Sequence, residues 1–204
     1  MYIYNLTIII FIVIFVYKFL KVLFKNNIIS LKTYEKEWLE FIWTLFPGFI
    51  LVYLGIPSIE LLYNLEIKRI NLLTLKIIGN QWYWRYEYSR FKNIQFDSFI
   101  IPYNELKLGD FRLLEVDNSL VLPFDTNILC LVTSNDVIHR WSLPSINIKI
   151  DANPGRLNSF FLYRKLPGIF YGQCSEICGA NHSFIPIKLE ICNSLIFKNW
   201  IIIF

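Results

Sequence analysis

Ile3 to Phe24 is almost continuously apolar until Lys18 and Lys21, and about 20 such residues is the length that crosses a bilayer as one helix. The lysines sit at one end, where long stems let the charged heads reach the polar boundary. A cleaved secretory signal would carry its positive charge before the apolar run and small residues after it. Here the charge follows and no A-x-A site exists, so a retained anchor is expected. A second run, Phe41 to Leu62, reads FIWTLFPGFILVYLGIPSIELL, with Glu60 as its one acidic residue. Its Pro47 and Pro57 suit a span, where neighbouring groups satisfy the carbonyls that proline frees. Lys18, Lys21, Lys25, Lys32 and Lys36 cluster at the end of the first run and between the two. Lys and Arg rather than net charge set orientation, so the connecting loop faces the inside and both termini face the other way.

Composition narrows what the remainder can be. The 204 residues are 55% apolar and 18% charged, with 8 Gly, 8 Pro and 4 Cys, and the mean hydropathy is +0.44. Low charge and abundant Phe exclude disorder, collagen and coiled coil, and the cysteines are too sparse for a disulfide scaffold. What remains is a two-helix membrane hairpin, residues 1–65 with spans at about 3–24 and 41–62, carrying a domain over 66–204. In that domain 71–78, 81–88, 111–116, 127–133, 146–150 and 157–163 are β-branched and aromatic runs separated by turn signals. They predict an all-β sandwich or barrel. The terminal Trp200–Phe204 run reads as an apolar cap on the domain or an interface tail. No basic strip interleaved with aromatics appears, so nucleic acid is not an expected partner. Alanine occurs only at Ala152 and Ala180, and no methionine follows Met1; this bias points to an AT-rich, organelle-type gene.

Chemistry concentrates in GQCSEICGANH, where Cys174, Cys178 and His182 stand in C-x3-C-x3-H. The only other histidine, His139, lies in DVIHRW at the expected end of a strand. Two thiolates and two imidazoles form a ligand set suited to copper or zinc. A Cys174–Cys178 disulfide and a structural zinc site stay open as alternatives; a mononuclear blue-copper site is disfavoured because it uses one cysteine. Cys130 and Cys192 read as buried small hydrophobes. The second unusual segment is QWYWRYEY, Gln81–Tyr88. Alternation would place Trp82 and Trp84 on one strand face and Tyr83 on the other, as a core pair or as an aromatic docking anchor.

IWTLFPG, QWYWRYEY, FDSFIIP, FRLLEVDN, DVIHRW, DANPGRLN and YGQCSEICGANHSFIPI occur in this order between Glu37 and Glu190. In these motifs the chain resembles the mitochondrial cytochrome c oxidase subunit II family. The resemblance implies a two-helix transmembrane hairpin plus an all-β, cupredoxin-like Greek-key domain, in the mitochondrial inner membrane with the domain and both termini in the intermembrane space. It implies a dinuclear copper A centre bridged by Cys174 and Cys178, with His139 and His182 as terminal ligands. Glu176 would supply its backbone carbonyl to one copper and its side chain to a magnesium ion shared with subunit I. Trp82 matches the family's electron-accepting tryptophan beneath bound cytochrome c, and Glu40 its glutamate near a proton-uptake path. The implied role is to take electrons from reduced cytochrome c and pass them to haem in subunit I, supporting oxygen reduction coupled to proton pumping. Implied partners are subunit I, the other oxidase subunits, cytochrome c and the lipid bilayer. A quinol-oxidase-type subunit lacking copper is disfavoured by the retained cysteines and histidines.

Two departures stand out. The family places a methionine ligand three residues after the second histidine; here that position is Ile185, which has no lone pair to donate. Ile100 also stands where members commonly carry methionine. Either an AUA codon read as methionine in many mitochondria is rendered here as isoleucine, or the substitution is real. The second departure is electrostatic. The family meets basic cytochrome c with an acidic patch, yet from Glu66 onward Lys and Arg outnumber Asp and Glu. Glu87, Asp97, Asp117 and Asp136 are the carboxylates expected to form a local patch, since steering depends on the local field.

Overall fold

The structure, a computed structural model, describes residues 2–26, 35–66, 73–89, 91 and 94–204. It divides into two compact units, Met1–Ile67 and Lys68–Phe204. Lys32 of the lysine cluster and residues 67–72 beside the expected domain boundary lie outside the described residues.

The first unit contains α1 (Tyr2–Lys25) and α2 (Glu37–Glu66). Both are long and apolar enough to cross a membrane, and apolar side chains point outward all along them, among them Phe11, Phe15, Phe49 and Leu51. A helix apolar on every side has no preferred face for a water-filled surround. Glu37 and Glu40 occupy the first turn of α2, where carboxylates favour the positive end of the helix dipole. The helix runs through Pro47 and Pro57. Near these prolines Thr44 Oγ1 donates back to the Glu40 carbonyl at 2.8 Å and Ser58 Oγ to the Leu54 carbonyl at 2.7 Å, so both hydroxyls are satisfied within the helix by bonds one turn back. The Tyr4 and Tyr53 rings meet at 6.2 Å, bringing the start of α1 to the second half of α2.

The second unit is a β domain closed by a helix. One sheet has the order β3 (Gln95–Ser98), β2 (Tyr83–Tyr88), β1 (Leu73–Asn80), β5 (Ile128–Ser134), β8 (Asn158–Leu162). Within it β1 and β5 run parallel and their neighbours antiparallel. A second sheet has the order β4 (Leu120–Pro123), β10 (Pro186–Cys192), β9 (Gly168–Gln173), and β6 (His139–Leu143) pairs with β7 (Ile148–Ala152). Alternation buries Leu73, Leu75 and Ile77 of β1, Trp84, Tyr86 and Tyr88 of β2, and Ile128, Cys130 and Val132 of β5 on one face, and the end of β1 is buried on both. Leu120, Leu122, Ile187, Leu189 and Trp141 complete the same core. Each large apolar side chain so buried contributes roughly 1.5–3 kcal/mol. Cys130 is a small core residue, Cys192 is half-buried, and both are free thiols.

Four expectations change. Residues 111–116 are not a strand. The Leu114 amide turns back to the Phe111 carbonyl at 3.2 Å and Leu113 is left-handed at φ 67°, so only Val116 makes a bridge, to Ile100. His139 opens strand β6 rather than ending one, because Ser134–Val137 form a side-chain-bonded turn before it. Trp82 lies ahead of β2, in the turn that follows β1, so strand alternation does not place it; it packs half-buried against the core in which Trp84 is fully buried. The C-terminal run is longer than its last five residues: α3 (Ser194–Ile203) is capped by the Asn193 side chain, which accepts from the Ile196 amide at 2.7 Å. Its Phe197 and Trp200 pack on Tyr88 at 6.3 and 5.4 Å, which is the cap reading. Leu195, Ile202 and Ile203 face outward.

Candidate metal centre

Two structural pieces converge at one end of the β domain. The first residue of β6 supplies His139, and the segment between β9 and β10 supplies Cys174, Cys178 and His182. Cys174 Sγ lies 3.9 Å from His139 Nδ1 and 3.9 Å from Cys178 Sγ, and Cys178 Sγ lies 3.4 Å from His182 Nδ1. The four donors thus follow one another as His139, Cys174, Cys178, His182. The Glu176 carbonyl oxygen stands 3.4 Å from Cys174 Sγ. His139, Cys174 and Cys178 are all buried.

A disulfide is not formed, since a 3.9 Å sulfur–sulfur separation is far beyond the roughly 2.05 Å bond. The separations do suit metal binding. An atom bonded to nitrogen at about 2.0 Å and to sulfur at about 2.3 Å bridges neighbours at such distances. Electrostatics point the same way. Burial opposes ionisation of Cys174, but hydrogen bonding with His139 and backbone amides outweighs it and holds that thiol below its ordinary value. Burial and the charge on Cys174 then push the Cys178 thiol up. Two thiolates this close are stable together only beside positive charge, which a metal provides.

Asp136 fixes the histidine. Its Oδ1 is 2.9 Å from His139 Nε2, and a carboxylate only accepts, so Nε2 carries a proton and Nδ1 is the nitrogen left to bond the Cys174 thiolate or to give its lone pair to a metal. Burial would lower the His139 pKa, but Cys174 and Asp136 together raise it. Burial likewise works against Asp136, yet bonds from His139 and the Val137 and Gln81 amides hold its carboxyl below the usual range. This carboxylate–histidine pair is the kind of outer contact that orients a metal ligand.

The ligand loop is fastened from two sides. Gln81 Nε2 and Trp82 Nε1 both donate to the Cys178 carbonyl, at 2.9 and 3.2 Å, and the Gln81 amide donates to Asp136 Oδ2 at 2.6 Å. Two glycines make these approaches possible. A Cβ on Gly79 would meet the His139 ring at 2.8 Å, and Gly179, at φ 115°, would put one against Gln81 and Trp82. On the other side the Cys174 amide donates to Ile185 and the Ser175 amide to Arg140, each at 3.0 Å. Ile185 is 1% exposed.

The remaining expected site residues are dispersed. Glu40 is in the first turn of α2 and exposed. Glu87 pairs with Lys76 at 3.3 Å and Asp97 with Arg85 at 2.6 Å. Asp117 Oδ1 accepts from the Phe99 and Asn118 amides. Sequence reasoning listed none of Gly79, Gln81, Arg140 or Gly179. Their proximity to the motifs in sequence was the sole signal, and it does not say which way a residue faces.

Residues 73–192 match the family described as cytochrome c oxidase subunit II, periplasmic domain, and residues 1–61 match its transmembrane domain. Cytochrome c oxidase subunit 2 of Choristoneura rosaceana is 53% identical over 198 residues, covering 97% of this chain and 87% of that one. The Drosophila melanogaster protein of the same name is 51% identical over 179 residues, covering 88% and 78%. Among solved structures, the periplasmic domain of cytochrome oxidase subunit II (CoxB) of Bradyrhizobium japonicum is similar at a TM-score of 0.61 and 41% identity, covering 66% of this chain and 94% of that one.

Proposed function

The chain belongs to the cytochrome c oxidase subunit II family, and on that premise we propose that His139, Cys174, Cys178 and His182, with the Glu176 carbonyl, hold a dinuclear copper A centre. The protein is the electron-transfer subunit of the oxidase, a membrane component of the respiratory complex with other oxidase subunits as partners. The observation that carries the copper reading is the unbroken sequence of donors, with neighbouring ligand atoms 3.4–3.9 Å apart. When bound, such a centre supplies reversible one-electron redox chemistry with its charge spread over two metals and two thiolates. The chain's own part is to keep the ligands still. Asp136 holds the His139 ring, Gln81 and Trp82 hold Cys178, and the buried sheet behind them resists displacement, so little reorganises when charge changes.

Copper analysis with EPR of the oxidised protein tests this reading. Two coppers sharing one unpaired electron are expected; a colourless protein with a single zinc would overturn it. Peptide mass spectrometry across 174–190 decides residue 185. Methionine there restores the expected thioether, whereas isoleucine leaves the centre with the donors named above.

The remaining assignments rest on the resemblance. Reduced cytochrome c is the electron donor, docking over Trp82, whose indole is tied directly to the Cys178 carbonyl. Glu87, Asp97, Asp117 and Asp136 supply the acidic field around it. The first three already serve partners on this chain, and Asp136 serves His139, so docking uses their residual charge. Cytochrome c-driven turnover is expected to fall with ionic strength, and a flat salt profile would remove the patch from the account. The Glu176 carboxylate would contribute to a magnesium ion shared with subunit I, Glu40 would lie near a proton-uptake path, and electrons would pass to haem in subunit I. The resemblance supports a multi-pass protein in the lipid of the mitochondrial inner membrane, the lysine distribution supports termini and β domain in the intermembrane space, and the AT-rich residue usage supports an organelle gene.

A further inference from the structure

Arg140 stands directly after the ligand His139 and contacts the ligand loop twice. Its carbonyl accepts the Ser175 amide at 3.0 Å. Its guanidinium Nη2 meets Glu176 Oε2 at 2.8 Å, while Nε is bonded to Asp151 Oδ1. Arg140 and Asp151 are directly opposed in the β6–β7 ladder, and Asp151 is held in turn through its carbonyl by the Asn158 side chain of β8 at 2.6 Å. A planar guanidinium has a fixed fork of donors, so anchoring one edge on Asp151 aims the other at Glu176. Ser175 and Glu176 are two of the three residues between the cysteines. We propose that Arg140 is a positioning residue for this loop, strapping Ser175 and Glu176 to the β6–β7 pair so that the Glu176 carbonyl and both thiols keep their places with or without metal.

The strap also gives the Glu176 carboxylate a cation from its own chain. A divalent ion reaching that carboxylate must share it with Arg140 or displace it. Lysine cannot reproduce the arrangement, because one ammonium lacks the fork that spans two carboxylates.

The test uses the full-length chain with Arg140→Gln, Glu176→Gln, the double variant and Arg140→Lys. Two readouts are taken: exchange of the Ser175 amide in the metal-free protein, and copper release into excess chelator with EPR hyperfine splitting in the loaded protein. The strap predicts about tenfold faster exchange and copper release in Arg140→Gln, the scale seen when outer contacts of a metal site are lost. It also predicts a shifted hyperfine pattern. Glu176→Gln should match it, the double variant should be no worse than either single one, and Arg140→Lys should fall between. Wild-type exchange in Arg140→Gln, or effects that multiply in the double variant, would overturn the proposal. If Arg140→Gln does not fold, Arg140→Lys decides: wild-type behaviour in it counts against the strap. The copper arm rests on the dinuclear reading, which the wild-type spectrum checks alone; the exchange arm needs no metal.

Discussion

The β domain has two ends built on different physics. At one end Tyr88, Phe96, Phe197, Trp200 and Phe204 form a cluster of rings with centroids 5.0–6.3 Å apart. It is held by area removed from water and has little need of direction. At the other end the segment from Cys174 to Ile185 leaves Ile177 84% exposed. Directed bonds from Gln81, Trp82, Arg140 and Ile185 fix it instead. Apolar burial is tolerant of exact placement and supplies stability; hydrogen bonds are worth only about 1 kcal/mol each but specify position. The contrast teaches that this domain separates what keeps it folded from what keeps its ligands aimed, and substitutions should separate the two as well.

The largest expected effect falls wholly at the metal end. Cys174→Ser should abolish the dinuclear copper signal while circular dichroism keeps the β domain; loss of the fold with the metal would join what the comparison divides. The mirror experiment is Phe197→Ala in α3. It removes a buried ring packed on Tyr88 and Phe91 and should cost about 4 kcal/mol in denaturant unfolding, with copper stoichiometry unchanged.

An ion pair between these extremes sharpens the contrast. Lys188 donates to Glu115 at 2.6 Å and Tyr171 to the same carboxylate at 2.9 Å, with the Glu115 and Lys188 side chains 6% and 18% exposed. Burial alone would raise the Glu115 pKa, but Lys188 and Tyr171 outweigh it and hold it low. Burial would lower that of Lys188, and Glu115 raises it. Stability from the depressed carboxyl is therefore present above its unfolded pKa and lost as pH falls through the folded one. Stability from the raised ammonium is lost as pH rises through its folded value. Lys188→Met should cost about 3 kcal/mol near neutrality by stranding a buried carboxylate and should flatten the alkaline limb of a stability–pH profile. An unchanged profile would place the pair outside the fold's energetics.

Two smaller changes complete the series. Asp136→Asn frees the His139 ring from its carboxylate and should weaken copper retention by about 10–100-fold with little change in unfolding. Tyr88→Phe deletes the 2.6 Å bond from its hydroxyl to the Val121 carbonyl and should cost about 1 kcal/mol, leaving the EPR spectrum intact. A spectral change there would show that the two ends communicate.

Much of this protein is legible in its sequence. The apolar runs set two membrane-length helices because about 20 residues without charge have few other stable homes. Alternating aromatics and β-branched residues set β1, β2, β5 and β8 because period two buries one face. C-x3-C-x3-H with a distant His marked the proposed ligand set, since residue type and spacing are properties of the chain. Other elements left no such trace. Residues 111–116 carry a strand's composition but turn instead, because Leu113 adopts a left-handed conformation and Glu115 bonds inward to Lys188 and Tyr171. Asp136 looked like any surface carboxylate, and only the turn at Ser134–Val137 aims it at His139. Trp82 was placed by alternation on a strand it precedes, and Arg140 was invisible beside a conspicuous histidine. The sequence by itself determined which atoms could bind and which segments must be buried. The tertiary structure decided which groups face one another, because direction depends on turns and on close backbone approaches such as that at Gly79, whose missing Cβ leaves room for the His139 ring.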